Sequence, residues 1–367
     1  MATTRSIERT ENKKFRLPAL RVSSIVHPLP QAVLLVGLVF AAVAIGNVEL
    51  PLEVILHDAL HQLGLADAPT SLAPTDSYIL WSVRLPRAFG ALLAGGSLAL
   101  GGAALQSLFR NPLAEPGLVG ISAGATLGAV VVIILGSVLF PTLWETLGSY
   151  FLPVFAFAGA AATAFIVYRV ARAGGNTQTA TLLLAGIAVQ ALVFAVVGFL
   201  LTIGSDAQVR SVTFWSLGSL KSSDWETVYI LTPIVALTAA ALLRLVRPLN
   251  LLLLGEAEAA HLGVRVERLK IGVILLVTFS VGATVAFFGV IGFVGLVVPH
   301  LLRLLAGPDL RRLMPSAVVL GANLLLVSDI IARSVSVSEL PVGVITSAIG
   351  APFFLWLLMR YRKLQTL

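Results

Sequence analysis

Apolar and polar residues in this chain separate into long blocks rather than alternating at short range. Ten apolar stretches, at about 31–48, 88–108, 117–138, 151–171, 180–203, 227–246, 270–291, 296–306, 311–332 and 343–360, are divided by short polar segments rich in arginine. A helix in lipid satisfies its own backbone hydrogen bonds and tolerates apolar side chains on every face, so unbroken apolar blocks predict membrane spans. The stretch at 296–306 is too short to cross ~30 Å of hydrocarbon alone and predicts a half-helix or a piece fused to its neighbour. The expected fold class is an all-α membrane protein with ten transmembrane helices, one of them short.

The polar segments predict orientation. Residues 1–30 are polar and carry Arg5, Arg9, Lys13, Lys14, Arg16 and Arg21, which reads as a cytoplasmic tail ahead of a transmembrane domain at 31–367. Ala42-Val43-Ala44 also fits a signal-peptide cleavage site, but the basic leader is long for one and the rest of the chain still has to insert. If the ten stretches alternate from an inside N-terminus, 20 of the 25 Lys and Arg residues fall inside and only Arg84, Arg87, Arg210, Lys221 and Arg333 fall outside. Basic residues resist translocation, so both termini are expected to be cytoplasmic. The outer stretch Glu49 to Ser82 has acids, no basic residue, and Pro51, Pro69 and Pro74, and is expected to be irregular. Ala94-Gly95-Gly96-Ser97 and Gly101-Gly102-Ala103-Ala104 let helix backbones approach closely and predict a tight bundle.

Composition narrows the function classes. Of 367 residues, 57% are hydrophobic and 12% charged, about half the charge of an ordinary soluble domain, which excludes a soluble globular protein. With no cysteine there is no disulfide, thiolate metal site or Cys nucleophile. The net charge of +7 lies between apolar stretches, where a membrane protein keeps its anchors, so no nucleic-acid partner is expected. No G-x-x-x-x-G-K-[ST] loop is present, and any ATP would be bound by a partner. The spans hold almost no mid-depth ionisable group, which argues against the alternative of an ion-coupled secondary transporter. Asp329 and Arg333 have the spacing of an i,i+4 ion pair. Gly120-Ile121-Ser122-Ala123-Gly124 matches a nucleophile elbow, but it opens an apolar helix and lacks a matching histidine. His300 is expected to mark a helix start after Pro299, with a haem-ligand role as the alternative.

Two features suggest partners. The inner segment LLLLGEAEAAHLGVRVERLK (251–270) is amphipathic, has acids at Glu256 and Glu258, and carries a helix stop at Leu262-Gly263. Its acidic face would be repelled by an anionic leaflet, which favours a protein partner over membrane lipid. On the outer side, Arg84-Leu85-Pro86-Arg87 and Arg333 put guanidinium groups at span mouths, where they suit an acidic ligand or partner, or else anchor to headgroups.

RLPRAFGALLAGGSLALGGAALQSLFRNPLAEPGLVGISAGATLG (84–128), LLLLGEAEAAHLGV (251–264), GVIGFVGLVVPHLLRLLAGPDLRRLMP (289–315) and SDIIARSVSVSELPVGVITSAIGAPFFLWLL (328–358) follow one another in this order. Together they resemble the FecCD-type permeases of bacterial ABC importers for siderophores, haem and cobalamin. The resemblance implies a ten-span permease that is not itself an enzyme and that forms a homodimer around a central pathway in the inner membrane. It also implies two cytoplasmic ATPase subunits carrying ATP and Mg, a periplasmic substrate-binding protein, and no permanently bound cofactor. Residue by residue, Arg84, Arg87 and Arg333 match outer arginines that pair with glutamates of the binding protein. Gly255, Glu256, Ala259, Leu262 and Gly263 match the coupling helix that sits in a cleft of the ATPase.

A pathway for a large, partly apolar cargo should be lined by small and aliphatic residues that hold it weakly. The candidates are Leu98, Gly102, Leu105 and Gln106 of the second span, Val197 and Leu201 of the fifth, and Thr346. The loop SDAQVRSVTFWSLGSLK (205–221) sets Arg210 near Phe214-Trp215 and resembles the haem-importing branch of the family. One cation beside flat rings suits a propionate-bearing porphyrin, while headgroup anchoring is the plainer reading. Haem is therefore the expected cargo, with an iron-siderophore or cobalamin as alternatives.

Overall fold

The computed structural model describes residues 28–46, 52–62, 64, 74–173, 176–335 and 339–365. In chain order the helices are α1 (Pro28–Ala44), α2 (Leu52–Gln62), α3 (Pro74–Tyr78), α4 (Leu85–Leu108), α5 (Ile121–Leu139), α6 (Pro141–Leu147), α7 (Phe151–Ala171) and α8 (Thr179–Ile203). They continue with α9 (Asp206–Ser216), α10 (Trp225–Arg244), α11 (Val246–Leu252), α12 (Glu256–His261), α13 (Val266–Phe288), α14 (Val294–Ala306), α15 (Leu310–Val335) and α16 (Val342–Gln365). Every one of the ten apolar stretches falls on a helix. Among the described residues, seven helices are long and apolar enough to cross a membrane, and three shorter apolar ones, Pro30–Ala44, Val294–Ala306 and Val342–Trp356, accompany them. Among the described residues the one strand pairing is a two-residue antiparallel pairing of Arg172–Ala173 with Asn176–Thr177. Of the expected tail at 1–30, only Pro28–Pro30 lie within the described residues, and they open α1.

Of the stretch 49–82, expected to be irregular, residues 52–62, 64 and 74–82 are described, and Pro51 and Pro69 lie outside them. Leu52–Gln62 is helical, and helix runs unbroken from Pro74 through a widened π turn at Ile79–Arg84 into α4. Proline disrupts a helix interior but costs nothing at its first turn, which is where Pro74 stands. The π turn lies immediately before Leu85-Pro86, and Leu85 N–H donates to Leu80 O, five residues back. A wider turn relieves the clash of the Pro86 ring with the preceding turn.

α4 is the centre of the bundle. Its apolar window is 83% buried, against 28% for α8 and 33% for α10, so α4 is wrapped by protein while α8 and α10 face outward. α10, α13, α14 and α15 all pack on α4, and α5 joins α7 and α8 in a second layer. The α4–α15 crossing is too close for side chains: a Cβ on Gly95 would stand 2.3 Å from Gly321 O. Without a hydrophobic effect in lipid, such backbone proximity is what holds helices together.

α14 corrects the expectation that a helix begins after Pro299. It starts at Val294 and carries Pro299 inside. Pro299 cannot donate to Gly295 O, but the Gln106 side chain does so at 3.4 Å and also reaches Leu296 O at 3.1 Å. The helix survives because a side chain from α4 supplies the missing donor.

Candidate translocation and coupling sites

At the end of the bundle where α1 stops and α4 begins, three arginines turn into the fold. Arg84 Nη1 donates to Val43 O at 2.6 Å and to Ala44 O at 2.8 Å, while Arg333 donates to Ala42 O at 2.9 Å and to Ile45 O at 3.1 Å. These carbonyls form the C-terminus of α1, where a helix has unpaired acceptors and the negative end of its dipole. Arg87 holds Asp329 at 2.9 Å and Glu339 at 2.9 Å. Arg333 Nε approaches Asp329 Oδ2 at 3.1 Å, the expected i,i+4 pair, as a charge contact without hydrogen-bond alignment. Arg84, Arg87 and Arg333 are only 5–6% exposed. Charge asymmetry singled these three arginines out but could not tell that they point inward.

The α4–α5 connection, α8 and the segment before α14 border a cavity of about 200 Å³ lined by Leu98, Glu115, Ser122, Gln190, Phe194 and Phe293, among others. Gln190 of α8 donates to Gly117 O, which ties this helix to the Pro116–Val119 turn. Burial raises the Glu115 carboxyl above the ordinary glutamate range. Among the described residues no hydrogen bond or ion pair reaches that carboxylate. Glu115, in Asn111-Pro112-Leu113-Ala114-Glu115-Pro116, was not among the residues expected to act. Its signal was an acid flanked by proline between two apolar stretches. Ser122 follows a 3₁₀ turn rather than a strand, so the backbone of a nucleophile elbow is absent from this segment.

At the opposite end, α12 projects between α11 and α13 and stops where expected. Val264 N–H donates to Ala259 O at 2.9 Å and Gly263 N–H to Ala260 O at 3.0 Å, a Schellman closure that requires the positive φ of +86° at Gly263. Glu256 accepts from Lys270 Nζ at 2.7 Å, and Lys270, 4% exposed, also donates to Thr177 O at 2.6 Å. Thr177 in turn donates its N–H to Glu267 at 3.1 Å and its hydroxyl to the same carboxylate. A chain of polar contacts therefore runs from α12 through buried Lys270 to the entry of α8.

The sequence pattern of the FecCD transport family matches residues 34–360. The chain belongs to the FecCD transport family. It is similar to the hemin transport system permease protein HmuU of Yersinia pestis, 45% identical over 78% of this chain and 84% of that protein. It is also similar to the cobalamin import system permease protein BtuC of Halobacterium salinarum, 42% identical over 88% of this chain and 82% of that one. A solved metal-chelate type ABC transporter in an inward-facing conformation superposes with a TM-score of 0.77 at 32% identity, covering 92% of this chain and 99% of that one. The protein is thus an ABC importer permease with a BtuC-like helical fold, and it spans the inner membrane many times.

Within this FecCD permease the expected site residues divide by depth. Of the coupling set, Leu262 and Gly263 are exposed, Gly255 and Ala259 are buried against the body, and Glu256 is engaged by Lys270. The surface α12 presents outward is therefore Ala257, Glu258, Ala260, His261, Leu262 and Gly263. Of the pathway set, Leu98 lines the Glu115 cavity. Gly102, Leu105 and Gln106 are interior: Gln106 braces α14, and a Cβ on Gly102 would stand 1.8 Å from Gly295 O. Val197 packs on α5 with Leu201 at the edge of the same cluster, and buried Thr346 donates to Gly343 O at 3.1 Å. Hydrophobicity marks helix faces that avoid water, but it cannot separate those that meet protein from those that meet a pathway. His300 is buried with neither ring nitrogen hydrogen-bonded. Arg210 stands exposed on α9, without a partner among the described residues, one turn from exposed Phe214.

Proposed function

We propose that the protein is the membrane-spanning subunit of a haem importer. It works as a homodimer with ten spans per subunit and both termini in the cytoplasm, receiving cargo from a periplasmic binding protein and energy from two cytoplasmic ATPase subunits. The observation that carries the haem reading is Arg210: an exposed cation without an internal partner, on the helix that also exposes Phe214, suits a flat ring system bearing propionates. The 45% identity to a hemin permease supports it. Cobalamin is the second reading, favoured by a cobalamin permease that matches 88% of this chain.

Transport on this reading is alternating access: the dimer exchanges between two packed arrangements and no bond in the cargo breaks. The ATPase moves α12 through its exposed Glu258–Gly263 face, and Lys270 passes that displacement to Thr177 at the base of α8. α8, the least buried span, moves against the Glu115 cavity, where Gln190 ties it to the Pro116–Val119 turn. Docking of the binding protein at the outer end involves Arg84, Arg87 and Arg333. Because they are engaged internally, an incoming carboxylate would have to exchange with the α1 carbonyls or with Asp329 and Glu339.

The test is transport by the complete complex, reconstituted with its own binding protein and offered haem, a ferric siderophore and cobalamin in parallel. Haem is expected to accumulate fastest. Preferential accumulation of cobalamin or siderophore overturns the cargo, and uptake by the permease alone under an ion gradient overturns the mechanism.

A further inference from the structure

A groove of about 510 Å³ lies between α11 and the α12–α13 connection, lined by Arg247, Arg265 and Arg268 beside the apolar wall of Leu251 and Leu262. All three arginines are exposed, and none has a hydrogen bond, ion pair or ring contact among the described residues. Three of the nearby acids are engaged elsewhere, and Glu258, exposed on α12, does not line the groove. Glu256 is held by Lys270, Glu267 by Thr177, and Asp309 by Asn250 and the Arg311 N–H. The groove thus keeps three uncompensated cations at one end. Its other end climbs α13 to Gly272, where a Cβ would meet nothing within 4 Å, and α13 from Val266 onward is a membrane-spanning helix.

We infer that this groove binds an anionic phospholipid of the inner leaflet. A phosphodiester is the group that arginine forks grip best, and an apolar wall continuing into a spanning helix suits the attached acyl chain. Basic pockets between spanning helices on the cytoplasmic side are a recurrent place for acidic headgroups. A docking surface for the ATPase would face away from the bilayer, whereas this groove runs along the bilayer-crossing helix. Leu262 lines the groove and also belongs to the outward face of α12, so the lipid steadies the coupling helix. That regulatory part rests on the importer reading above, whereas lipid binding does not depend on it.

The experiment measures lipid retained by the purified full-length protein in native mass spectrometry, after exchange from mixed phosphatidylcholine and phosphatidylglycerol. It compares wild type, an Arg265→Gln/Arg268→Gln variant, and an Arg311→Gln/Arg312→Gln control that removes equal charge from another exposed site. Thermal midpoints check that each is folded. Wild type and control are expected to retain phosphatidylglycerol preferentially, and the groove variant to lose about tenfold of that retention. An equal fall in the control would make the effect general surface charge and overturn the site. Displacement of the lipid by millimolar inorganic phosphate would make it a simple anion site. Unchanged lipid retention with loss of the ATPase subunit would make the groove a protein interface. ATPase activity of the assembled complex, in phosphatidylcholine with and without phosphatidylglycerol, then tests regulation separately: stimulation in wild type but not in the groove variant is expected, and equal stimulation of both overturns it.

Discussion

Arg87 and Asp329, 242 positions apart in the chain, meet through two guanidinium nitrogens on one carboxylate oxygen, at 2.9 and 3.0 Å. The contact fastens the start of α4 to the end of α15, and Arg333 and Glu339 extend it into a four-residue network. Asp329 is 1% exposed and stands between two buried guanidinium groups, so removing its charge leaves both uncompensated. Asp329→Asn is expected to destabilise the protein by roughly 3–5 kcal/mol, the usual cost of breaking a buried pair from one side. Thermal unfolding in detergent checks this, and adding Arg87→Met should recover part of the loss. An unchanged melting temperature in the single variant would mean that the network contributes little.

Lys270 gives a different kind of prediction, because it joins Glu256 of α12 to Thr177 O near the start of α8 while itself buried. Lys270→Met keeps most of its aliphatic volume but removes both contacts. The complex is expected to retain its ATPase subunits and nucleotide hydrolysis, while cargo transported per ATP falls by about an order of magnitude. Parallel measurement of hydrolysis and uptake decides it. Equal loss of both would assign Lys270 to folding rather than to transmission.

The spans were legible because desolvation leaves a coarse mark: each of the ten apolar stretches became a helix, and the Leu262-Gly263 stop became a Schellman closure. Less legible were features in which one element compensates another. Pro299 read as a helix start because its replacement donor, Gln106, lies 193 positions away. Helix α9 was overlooked in an outer loop although Ser205 and Gln208 form a capping box whose Ser-x-x-Gln signature is local. The inward turn of Arg84 and Arg333 was invisible because the carbonyls they cap belong to α1. Charge counting reports which side of a membrane a residue occupies, not which way its side chain points.

Gly102 was expected on the pathway and instead sits at the crossing of α4 with α14, its hydrogen-only side chain facing Gly295 O. A methyl group there would stand 1.8 Å from a backbone oxygen, which cannot rotate away. Gly102→Ala is therefore expected to force the helices apart and disturb the Gln106 contact with Gly295, at a cost of at least about 1–3 kcal/mol. Lower yield and a lower melting temperature, with any surviving protein showing normal cargo preference, would fit a packing role. Normal stability with altered cargo preference would return Gly102 to the pathway.

Glu115 predicts a pH dependence of stability. Burial raises its carboxyl, so the folded state holds the proton more tightly than the unfolded chain does. Between the unfolded and folded values the native state binds more protons, and stability therefore falls as pH rises through that window and levels off above it. Glu115→Gln is expected to flatten this segment of the profile and to melt higher than wild type above the window. Melting temperatures at closely spaced pH values from 4 to 8 check the sign. A wild-type curve that rises where this one should fall would mean that the carboxylate is stabilised by a partner.

Arg210 bears on cargo. Its guanidinium is exposed and unpaired among the described residues, so substitution leaves no buried charge stranded and should move stability by no more than about 0.5 kcal/mol. What changes is the field met by an anionic cargo beside Phe214. Arg210→Ala is expected to slow haem uptake several-fold by the reconstituted complex, while cobalamin, which carries no propionate pair, is little affected. Raising salt should narrow the difference between wild type and variant, because an exposed charge is screened over about 8–10 Å near physiological ionic strength. Arg210→Lys keeps the charge but loses the fork and is expected to fall between the two. If haem uptake by Arg210→Ala matches wild type at low salt, this arginine anchors to headgroups and the haem reading loses the residue that carries it.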